Sequence, residues 1–131
     1  MNLYIAGASA EREMIADLIA RCCETGINIT LDWPSQIEAN GGIANGMAPE
    51  DARAFAFADL AAVSAADVVW LVSGDARTCG AWVEFGYALA RGKQTVVSGN
   101  LARCIFAHLA GSVFLRHEDA FDRVVELGTV Y

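Results

Sequence analysis

The sequence predicts a single α/β domain over residues 1–131: a five-stranded parallel sheet of flavodoxin/Rossmann-like order 2-1-3-4-5, with helices on both faces. Three observations predict it. Short apolar runs alternate with helical stretches along the whole chain. The runs are apolar at consecutive positions, as strands covered on both faces require. No repeat, low-complexity tract or linker divides the chain, and a domain of this size hides roughly two thirds of its unfolded surface.

The elements follow in order. Leu3–Ala6 is an apolar run closed by Gly7, a buried first strand. Ala10–Thr25 carries Met14, Ile15, Leu18, Ile19 and Cys22 at helical spacing, with Ser9 as N-cap and Gly26 as terminator. Ile27–Leu31 is rich in β-branched residues and reads as a second strand, stopped at Asp32-Trp33-Pro34. Ser35–Ala48, with Gly41, Gly42 and Gly46, reads as a loop. Pro49 opens a helix that runs to about Ala65, with Glu50 and Asp51 behind it. Val68–Val72 is the most apolar strand. Gly80–Ala90 is helical, Thr95–Val97 a fourth strand, Asn100–Ala110 a stretch with a short helix, Ser112–Leu115 a fifth strand and Glu118–Leu127 a last helix.

Composition narrows the function. Nine basic residues against 16 acidic ones give a net charge of −7, which repels nucleic acid polymers. Hydrophobic residues make up 55% of the chain and mean hydropathy is +0.35, so a membrane span has to be considered. The richest window, Ala54–Val72, contains Asp59 and Asp67, each costing about 2.5–3.5 kcal/mol at mid-bilayer. It divides better into a helix and a strand. Twenty-four of the apolar residues are alanine, which suits close helix packing, and the remaining excess predicts helix faces buried between subunits of a homo-oligomer. Met1-Asn2-Leu3-Tyr4 has no basic n-region, so a cytoplasmic address is expected. Cys22, Cys23, Cys79 and Cys104 form no CxxC pair, so no metal is expected. His108 and His117 lack a suggestive partner and read as surface or helix-end residues.

In a sheet of this order, ligands bind beyond the carboxyl ends of the strands, at the switch point between strands 1 and 3. Gly7-Ala8-Ser9 and Ser73–Thr78 lie there, flanked by Asp32-Trp33 and Ser98-Gly99-Asn100. Gly7-Ala8-Ser9 leads into a helix N-terminus, whose free N–H groups suit an anion, with Arg12 one turn further. The same residues also suit a plain tight turn with a solvated arginine. Glu84 is the one ionised residue between Cys79 and Ala90. It reads either as a surface helix glutamate or as a cleft carboxylate able to act as nucleophile or acid–base. Gly80 and Gly86 on the same helix favour the second reading, because glycine in a helix suggests a close approach to the backbone. Asp59 shares a helix face with Phe55 and Val63, a spacing equally served by an exposed face. Asp75 and Arg77 lie in a switch-point loop, where polar residues are ordinary.

The block Gly80-Ala81-Trp82-Val83-Glu84-Phe85-Gly86-Tyr87-Ala88, followed by Gly92-Lys93 and a strand, resembles the signature of the nucleoside 2-deoxyribosyltransferase family. Leu3-Tyr4-Ile5-Ala6-Gly7 resembles the family's opening strand, Asp59-Leu60 and Ala66-Asp67 its upstream motifs, and Gly128-Thr129-Val130-Tyr131 its ending. The resemblance, which extends to N-glycosidases of nucleoside 5′-monophosphates, implies one such domain over the chain. It also implies a small nucleoside or nucleotide as partner, no cofactor, and Glu84 as nucleophile on the anomeric carbon. Asp59 would contact the base or assist proton transfer. The substrate would be bordered by Gly7, Ala8, Ser9, Arg12, Asp32, Trp33, Asp75, Thr78, Gly80 and Asn100, and covered by the segments Asp32–Ala48 and Ser98–Arg103. One departure stands out. The transferases often carry an aspartate six residues before the nucleophile, where this chain has Thr78. A hydroxyl there suits a phosphate, and Asp75 in the same loop is a possible substitute carboxylate.

The chemistry fits those residue types. An N-glycosidic bond breaks through an oxocarbenium-like state that a carboxylate stabilises or traps as an ester, and the leaving base needs a proton. Trp33 or Trp82 could stack on that base. Two other readings use the same fold: an NAD-cleaving domain of the toll/interleukin-receptor type, and a non-catalytic nucleotide sensor.

Overall fold

The computed structural model describes residues 1–131. Five parallel strands stand in the order β2-β1-β3-β4-β5, as the sequence predicts. They are β1 (Asn2–Gly7), β2 (Asn28–Ile29), β3 (Val68–Ser73), β4 (Gln94–Gly99) and β5 (Ser112–Phe114). The helices are α1 (Arg12–Glu24), α2 (Trp33–Ala39), α3 (Pro49–Ala65), α4 (Gly80–Ala90) and α5 (His117–Gly128). Helices α1 and α5 pack together, as do α3 and α4. Every residue of β3 is buried, and Trp70, Tyr4 and Phe85 are the largest side chains with almost no exposed surface.

Several sequence expectations change. Strand β2 is two residues long, not five. Ser9 belongs to a 3-10 turn (Ser9–Glu11), and α1 starts at Arg12 without a side-chain cap. Asn100–Ala110 forms two 3-10 turns, Leu101–Arg103 and Ile105–Leu109. Most consequential is α2, which occupies part of the stretch read as a loop. Asp32 caps it, accepting from the Ser35 amide at 3.2 Å and hydroxyl at 2.7 Å. Pro34 sits in its first turn, where a missing N–H is harmless. Trp33 donates its indole N–H to the Ile5 carbonyl at 2.7 Å, and Arg12 pairs with Glu38 at 2.5 Å. These contacts fix α2 over the end of β1.

Pleating decides which side chains reach which helix layer. A side chain added at Gly7 would meet Ile15 of α1, whereas Tyr4 reaches Glu84 of α4. The opposite layer is anchored at Lys93, which donates to the Ser64 carbonyl at the end of α3 at 2.7 Å. Ser64 and Tyr87 hydroxyls are 3.0 Å apart, tying α3 to α4. His117 opens α5, but its ring turns inward. The Trp70 indole N–H donates to the Ser98 hydroxyl at 2.8 Å, and that hydroxyl lies 2.8 Å from His117 Nδ1. Burial holds the His117 imidazole below its usual range.

The carboxyl ends of β3 and β4 touch at Gly99. Its φ is +99°, and a Cβ there would sit 2.0 Å from the Ser73 carbonyl oxygen. The backbone strain alone costs an alanine about 1–3 kcal/mol. Gly99→Ala is expected to lower the urea midpoint of unfolding; an unchanged midpoint would contradict this account of the β3–β4 contact.

Candidate active site

Past the end of β1, a cavity of about 600 Å³ opens between α2, the loop after it, α3 and the start of α4. Glu84 stands at its floor. It is the one carboxylate among the buried residues, 8% exposed, on the inner face of α4. Tyr4, 1% exposed on β1, donates its hydroxyl to Glu84 Oε2. Burial pushes the Glu84 carboxyl from its ordinary 4.5 up to about 7; the Tyr4 hydrogen bond opposes that rise, and the charge of Asp59 adds to it. Burial and the two neighbouring carboxylates keep the Tyr4 phenol protonated far above its usual range. Asp59 reaches the cavity from α3, and burial pushes it up to about 6. It belongs to a face turned to the cavity, not to solvent.

Of the substrate-bordering residues read from the sequence, Gly7, Ser9, Trp33, Thr78 and Gly80 line this space together with Glu84 and Asp59. The others do not. Ala8 is buried beside it. Arg12 bonds Glu38 and the Ser9 carbonyl, 3.1 Å away, and does not line the cavity. Asp32 is exposed and occupied in capping α2. Asp75 is exposed and lies outside the cavity, so it does not replace the carboxylate absent at Thr78. Asn100 caps the next 3-10 turn, accepting from the Ala102 amide at 3.1 Å, while its carbonyl accepts from Ser73 at 2.7 Å. Trp82 packs edge-on against Phe85, with ring centres 5.7 Å apart, outside this cavity. No atom of the chain approaches a Cβ placed at Gly80 or Gly86 within 4 Å. Gly80 therefore faces open cavity, and Gly86 faces the outside.

Sequence reasoning missed Tyr4 as a functional residue, and it missed Gln36, Asn45, Phe55 and Arg77, which also line the space. Arg77 was legible as a cation in a switch-point loop. The amides are carried by α2 and the chain just beyond it, inside the Asp32–Ala48 segment expected to cover the substrate, where no residue pattern singles them out. Thr78 accepts from the Ala81 amide at 3.3 Å and so completes the first turn of α4 at the cavity's edge.

The arrangement is a protonated phenol holding one oxygen of a buried carboxylate, with a second acid and a set of neutral amides around an open cavity. The sequence profile of the nucleoside 2-deoxyribosyltransferases matches residues 3–106. The chain belongs to that family. The deoxyribosyltransferase match includes Tyr4, Asp59 and Glu84. No curated protein sequence matches the chain. Among solved structures, the Clostridium botulinum CMP N-glycosidase BcmB shares the fold with a TM-score of 0.58. That likeness covers 95% of this chain and 98% of that one at 18% sequence identity. No helix is long and apolar enough to cross a membrane.

The raised Glu84 pKa has a consequence for stability. Between about 4.5 and 7 the folded protein binds more protons at this residue than the unfolded chain, so stability falls as pH rises through that window. Asp59 contributes with the same sign up to about 6. Urea unfolding of the wild type at pH 5 and pH 8 should show this loss, on the order of 2–3 kcal/mol for Glu84. Glu84→Gln should flatten it, and an undiminished slope in the variant would contradict the burial of an ionisable Glu84.

Proposed function

We propose that this deoxyribosyltransferase-family protein cleaves or exchanges the N-glycosidic bond of a nucleoside or nucleotide, with Glu84 as the nucleophile. The observation that carries the reading is the single buried carboxylate, held by Tyr4 and facing a cavity that also receives Asp59.

Tyr4 occupies Oε2, which leaves Oε1 to meet the anomeric carbon. As the C1′–N bond breaks, its electron pair leaves with the base and an Oε1–C1′ ester forms. Asp59 reaches the same cavity from α3 and is placed to contact the departing base. Attack on C1′ by water or by a second base frees Glu84 again, giving hydrolysis or transfer respectively. Trp33 supplies an aromatic wall for the base, and Gln36 and Asn45 supply amide donors and acceptors for its edge. Thr78 and the first turn of α4 suit a 5′-hydroxyl or 5′-phosphate. This chemistry draws on no cofactor or metal.

The outer face of the α3–α4 layer is apolar and unpartnered. Helix α3 buries only Ala62 and Val63, Phe57 on α3 and Val83 on α4 are 61% and 63% exposed, and Gly86 on α4 is exposed too. A homo-oligomer joined on this face is part of the proposal.

Three outcomes test the reading. Incubation with nucleosides and 5′-monophosphates, with and without a second free base, should release or exchange base by chromatography. Glu84→Ala should lose about 10³-fold or more; no release from any compound, NAD included, would overturn the proposal. Removing the Tyr4 hydroxyl removes what holds the Glu84 pKa down. Tyr4→Phe should therefore move the acidic limb of kcat/KM, set by Glu84 near 7, to higher pH, and an unmoved limb would contradict the role given to Tyr4. Sedimentation should show an oligomer that Val83→Glu weakens, and a wild-type monomer would count against the interface.

A further inference from the structure

A second pocket of about 340 Å³ lies beyond the end of β3, and Arg77 and Thr78 line both spaces. Glu84 borders only the first and Arg103 only the second. The chain has a net charge of −7, and Arg12, Arg21 and Arg123 each pair with a carboxylate. Arg77 and Arg103 pair with none, yet both border this one pocket. Neutral acceptors aim Arg103: Nε donates to the Gly74 carbonyl at 3.2 Å, and an Nη nitrogen donates to the Asp75 carbonyl. The other Nη nitrogen has no partner in the chain. A guanidinium oriented in advance, keeping free donors and held in no ion pair, is suited to a phosphate fork; the Glu11 carboxylate lies against Gly74 without pairing with this guanidinium.

We propose that this pocket takes the second phosphate of a 5′-pyrophosphate, so that the substrate carries at least two phosphates at its 5′ end. The proposal rests on the glycosidase reading. With the anomeric carbon at Glu84, the first phosphate meets the shared wall at Thr78 and Arg77. Arg103 lines only the far space, so an anion reaches it by extending past that wall. A nucleoside 5′-diphosphate ends there, whereas a dinucleotide such as NAD continues outward. The shared chemistry is the pyrophosphate.

The test has two arms. In the first, base release is compared for a nucleoside, its 5′-monophosphate, its 5′-diphosphate and NAD. A pyrophosphate-bearing compound should exceed the monophosphate in kcat/KM by on the order of 10- to 100-fold. Arg103→Gln should bring that ratio close to one, with Arg103→Lys restoring part of it, and Arg77→Gln should weaken the mono- and diphosphate alike. Preference for the diphosphate or for NAD identifies the source, and either supports the pocket. A monophosphate as good as both would overturn it.

In the second arm, inorganic pyrophosphate and inorganic phosphate are titrated calorimetrically into the intact protein, with no turnover needed. Pyrophosphate should bind more tightly, and Arg103→Gln, checked for an unchanged melting temperature, should lose that advantage. Equal binding of the two anions, or a fold-intact Arg103 variant that keeps the advantage, would overturn the pocket while leaving the glycosidase reading intact. Base release from no compound would sink the glycosidase reading, and the pyrophosphate titration would still decide the pocket.

Discussion

A carboxylate removed from water must find a donor or take up a proton, and the site is organised around that constraint. Glu84 finds Tyr4. The bond spans 80 positions of sequence and joins the innermost strand layer to α4. For it to form, β1 must present Tyr4 toward α4 and not α1, which the pleat decides. Helix α4 must also begin at Gly80, where Thr78 accepts from the Ala81 amide and completes its first turn. Once both conditions hold, one Glu84 oxygen is occupied and the other is left for the cavity. Burial drives the rise toward 7 and the Tyr4 hydrogen bond opposes it.

The second acid depends on the same frame. Asp59 is placed by α3, and α3 is fixed to α4 through Ser64, Tyr87 and Lys93 at its far end. The roof depends on a separate set of contacts, in which Trp33 reaches the Ile5 carbonyl and Arg12 reaches Glu38. Floor and wall are thus built from core elements, while the roof is carried by a short helix joined to them by a few polar bonds. The cavity-lining amides Gln36 and Asn45 are carried by this roof and not by the core.

Much of this was legible in the sequence. The strands declare themselves through continuous apolar runs such as Val68–Val72, and sheet order follows from their alternation with helices. Glu84 stood out as the lone charge of an apolar helix. Helix α2 was illegible because seven residues are too few to show a 3.6-residue period, and because Pro34, which ends strands, also suits a helix's first turn. Its cap, Asp32 with Ser35, was the available signal, and it was read as ligand chemistry. Arg12 and Asn100 likewise bond protein groups, Glu38 with the Ser9 carbonyl and the Ala102 amide, because a polar side chain near a site serves the chain as readily as a substrate. Tyr4 was hidden because an aromatic residue in a buried strand gives no sign in sequence of where its hydroxyl points.

The central claim is that Glu84 attacks the sugar, and the direct measurement is intact-mass spectrometry of the protein quenched during turnover with a 2′-fluoro-substituted substrate that slows breakdown of a glycosyl ester. The account predicts a mass increase equal to the substrate less its base, mapped by peptide fragmentation to Glu84 and absent from Glu84→Ala. Base release without an adduct, or an adduct on any other residue, would contradict it.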